Sequence, residues 1–70
     1  MQRHEVASTS LASVGYDANA RILEVEFQSG AIYHYHDVPF RVAKGLARAQ
    51  SIGAYFSKVI RPSYAYARVE

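Results

Sequence analysis

Short runs in which apolar and polar residues alternate fill the first half of the chain and predict β-strands. The clearest run is ILEVEF at 22–27, where Leu23, Val25 and Phe27 share one face and the two glutamates share the other. Two further runs alternate in the same way: LASVGY at 11–16 and AIYHYH at 31–36. Turn-forming residues separate the three runs: DANA at 17–20 and QSG at 28–30. The pattern predicts a three-stranded antiparallel meander.

The length of the loop between the second and third strands decides which face of the third strand is buried. A two-residue loop would place His34 and His36 beside the apolar face of the second strand. A three-residue loop, Gln28 to Gly30 with the glycine in a left-handed bulge, would place Tyr33 and Tyr35 there instead. Burying two tyrosines removes more apolar area from water than burying two imidazoles, and it leaves the histidines beside glutamates. We therefore expect the three-residue loop.

The second half of the chain changes to helical periodicity. Pro39 suits the first turn of a helix, in which Val42, Leu46 and Ala49 form an apolar stripe. Gly45 in this helix costs about 1 kcal/mol relative to alanine, which suggests close packing at that position. Ser51 caps a second helix that ends before Pro62, and its apolar residues recur at helical spacing: Ile52, Tyr55, Phe56 and Val59.

After these helices, the tail SYAYARV alternates again and predicts a short extended segment. The expected fold is α+β: a three-stranded antiparallel meander covered on one face by two helices (βββαα), with the extended tail at the end. Seventy residues are enough for one small domain, which we expect to span residues 1–70.

Composition excludes several classes of function. The chain has no cysteine, so it offers no disulfide and no thiolate site. No secretory signal or membrane-length apolar run is present, which favours a cytoplasmic protein that does not bind membranes. Ser8, Ser10 or Ser13 could join a histidine and Asp37 in a hydrolase triad, but no nucleophile-elbow motif or glycine-rich oxyanion loop accompanies them. We therefore predict no catalysis, no cofactor and no small-molecule substrate.

The net charge is +2, but the charged residues are unevenly distributed along the chain. Residues 38–69 carry six Lys and Arg residues and no acidic residue. Arg41, Lys44 and Arg48 share one face of the first helix, and Lys58 and Arg61 lie on the outer side of the second. Such a face attracts phosphate backbones. Tyrosines beside the cations could stack on unpaired bases. The predicted RNA-binding residues are Arg41, Lys44, Arg48, Lys58, Arg61, Tyr64, Tyr66 and Arg68.

Two smaller candidate binding sites can also be explained by interactions within the protein that involve no ligand. Backbone N–H groups near Ser51 and Gly53 could bind phosphate, although a serine cap explains the same residues. His34 and His36 share a strand face and could bind a metal if Asp37 or His4 supplied a third ligand; otherwise they pair with the glutamates of the neighbouring strand.

The alternative to RNA binding is a protein-interaction or homodimerisation module. A three-stranded meander has two edges that can accept another strand. The alternating segments at both ends of the chain could cover these edges or leave them open.

Five sequence motifs in a fixed order resemble the KTSC domain, a module found at the C-terminus of some lysyl-tRNA synthetases and as a stand-alone bacterial protein. They are V-x-S-T-x-L-x-x-V-G-Y-D at 6–17, L-x-V-x-F-x-S-G at 23–30, Y-x-Y at 33–35 followed by Val38-Pro39, S-x-G-x-Y-F at 51–56, and I-R-x-x-Y at 60–64. The resemblance implies no established biochemical activity and no catalytic residues. The suggestion of RNA binding rests only on the fusion of the module to lysyl-tRNA synthetases.

Overall fold

A single antiparallel sheet of five strands carries two helical segments on one face in the computed structural model, which describes residues 2–70. The strands follow one another in chain order across the sheet: β1 Arg3–Glu5, β2 Leu11–Asp17, β3 Ile22–Phe27, β4 Ile32–Tyr35 and β5 Tyr66–Arg68. Helix α1 spans Phe40–Arg48, and α2 spans Ile52–Tyr55 and continues as a π-helical turn over Phe56–Ile60. The fold is α+β.

The predicted three-stranded meander is wrong in the number of strands. Arg3–Glu5 pairs with β2, and Tyr66–Arg68 pairs with β4, so both edges of the central meander are covered. The unpaired backbone groups of an edge strand favour such pairing. Alternation in the tail predicted an extended segment there and left open whether the two ends cover the sheet edges; the structure shows that both do.

The loop between β3 and β4 has three residues, as expected. Phe27 faces Ala31 across the hairpin, and its N–H donates to the Ala31 carbonyl at 2.9 Å. Gly30 has a φ of 94°, the left-handed conformation that the bulge requires. Tyr33 and Tyr35 consequently lie beside Val25 and Leu23, on the apolar face.

A bulge near the start of β2 changes which of its residues face the helices. The register shifts between Leu11 and Ser13, so that Leu11 lies opposite Phe27 and is fully buried. Ala12, which strict alternation would place on the apolar face, is only half-buried. Beyond the bulge, Val14 and Tyr16 follow the expected alternation.

The core lies between the sheet and the helices. Its buried residues come from every layer: Leu11, Val14, Leu23, Val25, Tyr35, Val38, Val42, Ala43, Leu46, Phe56 and Ile60. Phe56 packs its ring edge-on against Phe27 and Tyr35, with centroids 5.6 and 5.3 Å apart. None of the helices in residues 2–70 has the length and apolar character needed to cross a membrane.

The second helical segment departs from the predicted α-helical stripe. Its expected core residues included Val59, which is partly buried and packs against the core; the π-helical turn inserts extra backbone, and Ile60 is fully buried instead. The N–H of Arg61 donates to the carbonyl of Phe56, five residues earlier, at 2.9 Å.

Candidate nucleic-acid interface

The three cations of α1 point away from the protein core. Residues 41, 44 and 48 fall within about 60° of one another around the helix axis. Arg41, Lys44 and Arg48 are all exposed. The buried side of the same helix carries Val42, Ala43 and Leu46, on the opposite side of the axis. We call the exposed Arg41, Lys44 and Arg48 of α1, together with the exposed Lys58 of the second helical segment, the basic face; Arg61, which follows that segment, is exposed as well.

Two of the helix cations also lie near aromatic rings. Lys44 Nζ lies 6.0 Å from the ring centroid of Phe40, and the Arg61 guanidinium lies 5.3 Å from that of Phe56. Phe40 is itself 61% exposed, so its ring and Lys44 share the outer surface. Contacts at these distances orient a cation without removing it from solvent.

The tail residues in the predicted RNA-binding set divide into two environments. Tyr64 is half-buried and packs against the core, whereas Tyr66 is 58% exposed. Arg68 pairs with Tyr33 on the helix-facing side of the sheet, and its Nε donates to the Glu70 carbonyl at 3.1 Å. The structure thus places Tyr66 and Arg68 at the surface and Tyr64 largely in the packing beneath it.

Aromatic side chains beside β5 form a groove of about 430 Å³, which we call the aromatic groove. Its aromatic lining consists of Phe27, Tyr33, Tyr35 and Tyr66. The Tyr66 ring contacts both other tyrosines, with centroid distances of 5.6 Å to Tyr33 and 5.3 Å to Tyr35. Among the described lining residues Arg61 alone carries a charge, and the remaining lining is small or polar: Ser10, Gln28, Ser29 and Ala31.

Tyr35 forms the floor of this groove and stays uncharged at neutral pH. Burial raises the pKa of its hydroxyl above the ordinary value, and the nearby positive charge of Arg61 only partly opposes that shift. The groove therefore presents one positive charge above a neutral aromatic floor.

Acidic side chains occupy the other face of the sheet. Glu24 binds Arg3 Nη1 through one carboxylate oxygen and His34 Nε2 through the other, both at 2.8 Å. Burial acts to raise the pKa of Glu24, but the hydrogen bonds from His34 and Arg3 and their positive charges outweigh it and hold that pKa below its usual range. Ser13 donates to Glu26 at 2.8 Å on the same face.

Among the histidine and serine candidates, His34 and Ser13 contact glutamates of β3. His34 pairs with Glu24, and His4 lies on the opposite face of the sheet because it pairs with Val14. Within residues 2–70 no three His, Asp or Glu side chains gather closely enough to hold a metal ion. The Ser13 hydroxyl, one of those considered for a triad, contacts Glu26 instead of a histidine.

The start of α2 has the structure of an ordinary cap. Ser51 Oγ accepts a hydrogen bond from the Ala54 N–H at 3.3 Å, which satisfies one of the free donors of the helix end. Gly53 lies close to the loop before β2, where an added Cβ would be 3.5 Å from Ser8 Oγ. Whether phosphate binds there stays a prediction.

Two features were not predicted from the sequence. The aromatic groove needs β5 beside β4, because only that pairing brings Tyr66 next to Tyr33 and Tyr35. The Arg3 contact with Glu24 similarly needs β1 beside β2. Both strands are three residues long, and the available signal was the alternation at the two ends of the chain, which does not say which residues become neighbours.

Comparison with known proteins shows which family the chain belongs to. The sequence model of the KTSC domain family matches residues 7–64. This chain belongs to the KTSC domain family. A stand-alone uncharacterized protein of Stutzerimonas stutzeri is 46% identical over 71 residues, covering all of both chains. The crystal structure of a KTSC domain protein from Yersinia pestis is 33% identical and superposes with a TM-score of 0.95, covering 99% of this chain and 97% of the other.

Segments of larger enzymes are also similar to this KTSC domain. Lysine–tRNA ligases of Trichormus variabilis and a Nostoc species match it at 39% and 41% identity over 51 residues. The match covers 73% of this chain and 9% of each ligase. The relationship therefore concerns one small module of these enzymes.

Proposed function

We propose that this KTSC domain is a non-catalytic module that binds RNA through its basic face. The observation that carries the proposal is the separation of charge between the two sides of the sheet. Residues 38–69 contain every cation of the helices and of β5 and no acidic residue. Glu5, Glu24 and Glu26 project from the opposite face of the sheet, where Arg3 pairs with Glu24 and leaves the other two carboxylates without a Lys or Arg partner among the described residues.

This arrangement suits a polyanion that is recognised by its backbone. Lys and Arg side chains that contact phosphates release counterions, so affinity depends strongly on salt and little on sequence. The similarity to segments of lysine–tRNA ligases favours RNA, and tRNA in particular, as the polyanion to test. Arg41, Lys44, Arg48 and Lys58 would contact phosphates.

The proposal is tested by removing two charges from the basic face and, in a matched variant, changing the net charge equally elsewhere. The Arg41→Gln/Arg48→Gln double variant should bind tRNA about tenfold or more weakly at roughly 0.1 M salt, and the slope of log K against log salt should fall by about one to two. The control Ala18→Glu/Ala20→Glu shifts the net charge by the same amount at the exposed β2–β3 turn. It should bind nearly as the parent does.

Fluorescence anisotropy at several salt concentrations measures both quantities. Absence of binding at low salt, or equal losses in the two double variants, would show that the basic face is not an RNA interface. Sedimentation of the same samples reports self-association, which is the competing function. A stable dimer without RNA binding would favour that alternative.

A further inference from the structure

Resting on the function proposed above, we propose that the aromatic groove binds one unpaired nucleotide, whose base stacks on Tyr66 and whose phosphate pairs with Arg61. The domain would then prefer single-stranded or looped RNA over a continuous duplex. This deepens the proposed function, because a basic face alone does not distinguish the two forms of RNA.

Tyr66 has the exposure and the support that a stacking platform needs. It is 58% exposed, although its ring rests against Tyr33 and Tyr35 at centroid distances of 5.6 and 5.3 Å. These contacts hold the ring in place before any ligand arrives, which lowers the entropy lost on binding. Bases stack on such rings whatever their sequence, because each base has a π-face.

Arg61 supplies the charge that selects a nucleotide over an uncharged aromatic ligand. Its guanidinium is held 5.3 Å from the Phe56 ring centroid and remains exposed at the rim of the groove. A guanidinium presents planar N–H donors that match two phosphate oxygens. No acidic residue lines the groove among the described residues, so nothing there would repel a phosphate.

Arg61 connects the groove to the helical segment that carries Lys58 of the basic face. Lys58 lies in that segment and Arg61 caps its end three residues later, and both side chains are exposed. A strand of RNA that contacts Lys58 could therefore extend to Arg61 and leave one base beside Tyr66. Tyr64, although in the predicted set, is not part of this site, because it packs against the core.

The test compares a short single-stranded RNA carrying 2-aminopurine with a blunt duplex of the same sequence. Stacking on Tyr66 should quench the 2-aminopurine fluorescence of the single strand. The Tyr66→Ala variant should bind the single strand about tenfold or more weakly, lose the quenching and keep its affinity for the duplex. Tyr66→Phe should retain both, because it keeps the ring.

Phe40→Ala is the matched control, because Phe40 is another exposed aromatic residue that lies outside the groove. It should leave the quenching unchanged. The Arg61→Gln variant should reduce the salt slope for the single strand by about one while leaving the base stacked. Circular dichroism of each variant establishes that its fold is intact.

The outcomes separate the two proposals. If single strand and duplex bind equally with no quenching, the groove proposal is wrong and the basic-face proposal stands. If neither RNA binds, the basic-face proposal fails, and adenosine monophosphate is titrated while the ring signals of Tyr33 and Tyr66 are followed by NMR. Shifts of these signals would retain the groove as a nucleotide site, and unchanged signals would overturn it.

Discussion

At the scale of single residues, Gly45 illustrates a close approach that sequence anticipated only in part. A glycine inside a predicted helix suggested tight packing, and the structure confirms this. The Tyr55 ring lies against the Gly45 backbone, and its hydroxyl donates to the Val42 carbonyl at 3.1 Å. Helical periodicity could not identify Tyr55 as the partner, because that contact depends on how α1 and α2 cross.

Replacing Gly45 with alanine should destabilise the protein, although alanine is the better helix former. The added Cβ would lie 2.8 Å from Tyr55 Cζ, so the ring must move and its hydrogen bond to Val42 must weaken. We expect Gly45→Ala to lower the free energy of unfolding by about 1–3 kcal/mol. Urea denaturation measures the loss. The Gly45→Ala/Tyr55→Phe double variant should recover part of it, and an unchanged or raised stability of Gly45→Ala would contradict the packing described.

The Glu24 contacts show a similar division between what the sequence predicts and what it does not. The hairpin register predicted from tyrosine burial correctly placed His34 beside Glu24. The second partner, Arg3, is 21 residues from Glu24 and reaches it only across β2. Local patterning contains no information about such a contact.

At the scale of secondary structure, the short strand β5 determines whether the aromatic groove exists. Its hydrogen bonds to β4 alternate: His36 bonds to Ala65, and Ile32 bonds to Val69. Because hydrogen-bonded pairs alternate along the two strands, the Ala67 N–H, opposite His34, points toward β4 and donates to it. The Arg68 N–H points away from β4. Proline substitution at these two neighbouring positions therefore distinguishes ladder pairing from general strand propensity.

Ala67→Pro should detach β5 because it removes a donor of the ladder, whereas Arg68→Pro should be tolerated. The first variant should expose the edge of β4, speed hydrogen exchange of its amides and increase self-association. Hydrogen-exchange NMR and sedimentation velocity measure the two effects. Equal protection of the β4 amides in both variants would mean that β5 does not cover this edge.

The π-helical turn marks another limit of prediction at this scale. The sequence predicted the second helix, its Ser51 cap and the burial of Phe56 correctly. It did not predict that Ile60 would be fully buried while Val59 is only partly buried, because helical periodicity assumes a constant number of residues per turn. The Phe56 ring packs against Phe27 and Tyr35, which are distant in sequence. These contacts hold the first residue of the π-helical turn in place, and local periodicity contains no information about them.

At the scale of the whole molecule, one core joins all the layers, so the chain should unfold as a single unit. Leu46 of α1 and Val25 of β3 are both fully buried in the same cluster. Leu46→Ala and Val25→Ala should each lower the midpoint of one common transition, with Leu46→Ala costing about 2–5 kcal/mol. Far-ultraviolet circular dichroism and tyrosine fluorescence should give coincident curves. Separate transitions would contradict the single domain predicted from the sequence.

The layered distribution of charge also bears on how a partner would reach the molecule. Carboxylates outnumber Arg3 on one side of the sheet and cations occupy the other, which gives the domain a permanent electric dipole. In the field of a long polyanion such a dipole turns its cationic side inward before contact. Encounters would then begin in the right orientation, and added salt would slow association far more than it hastens release.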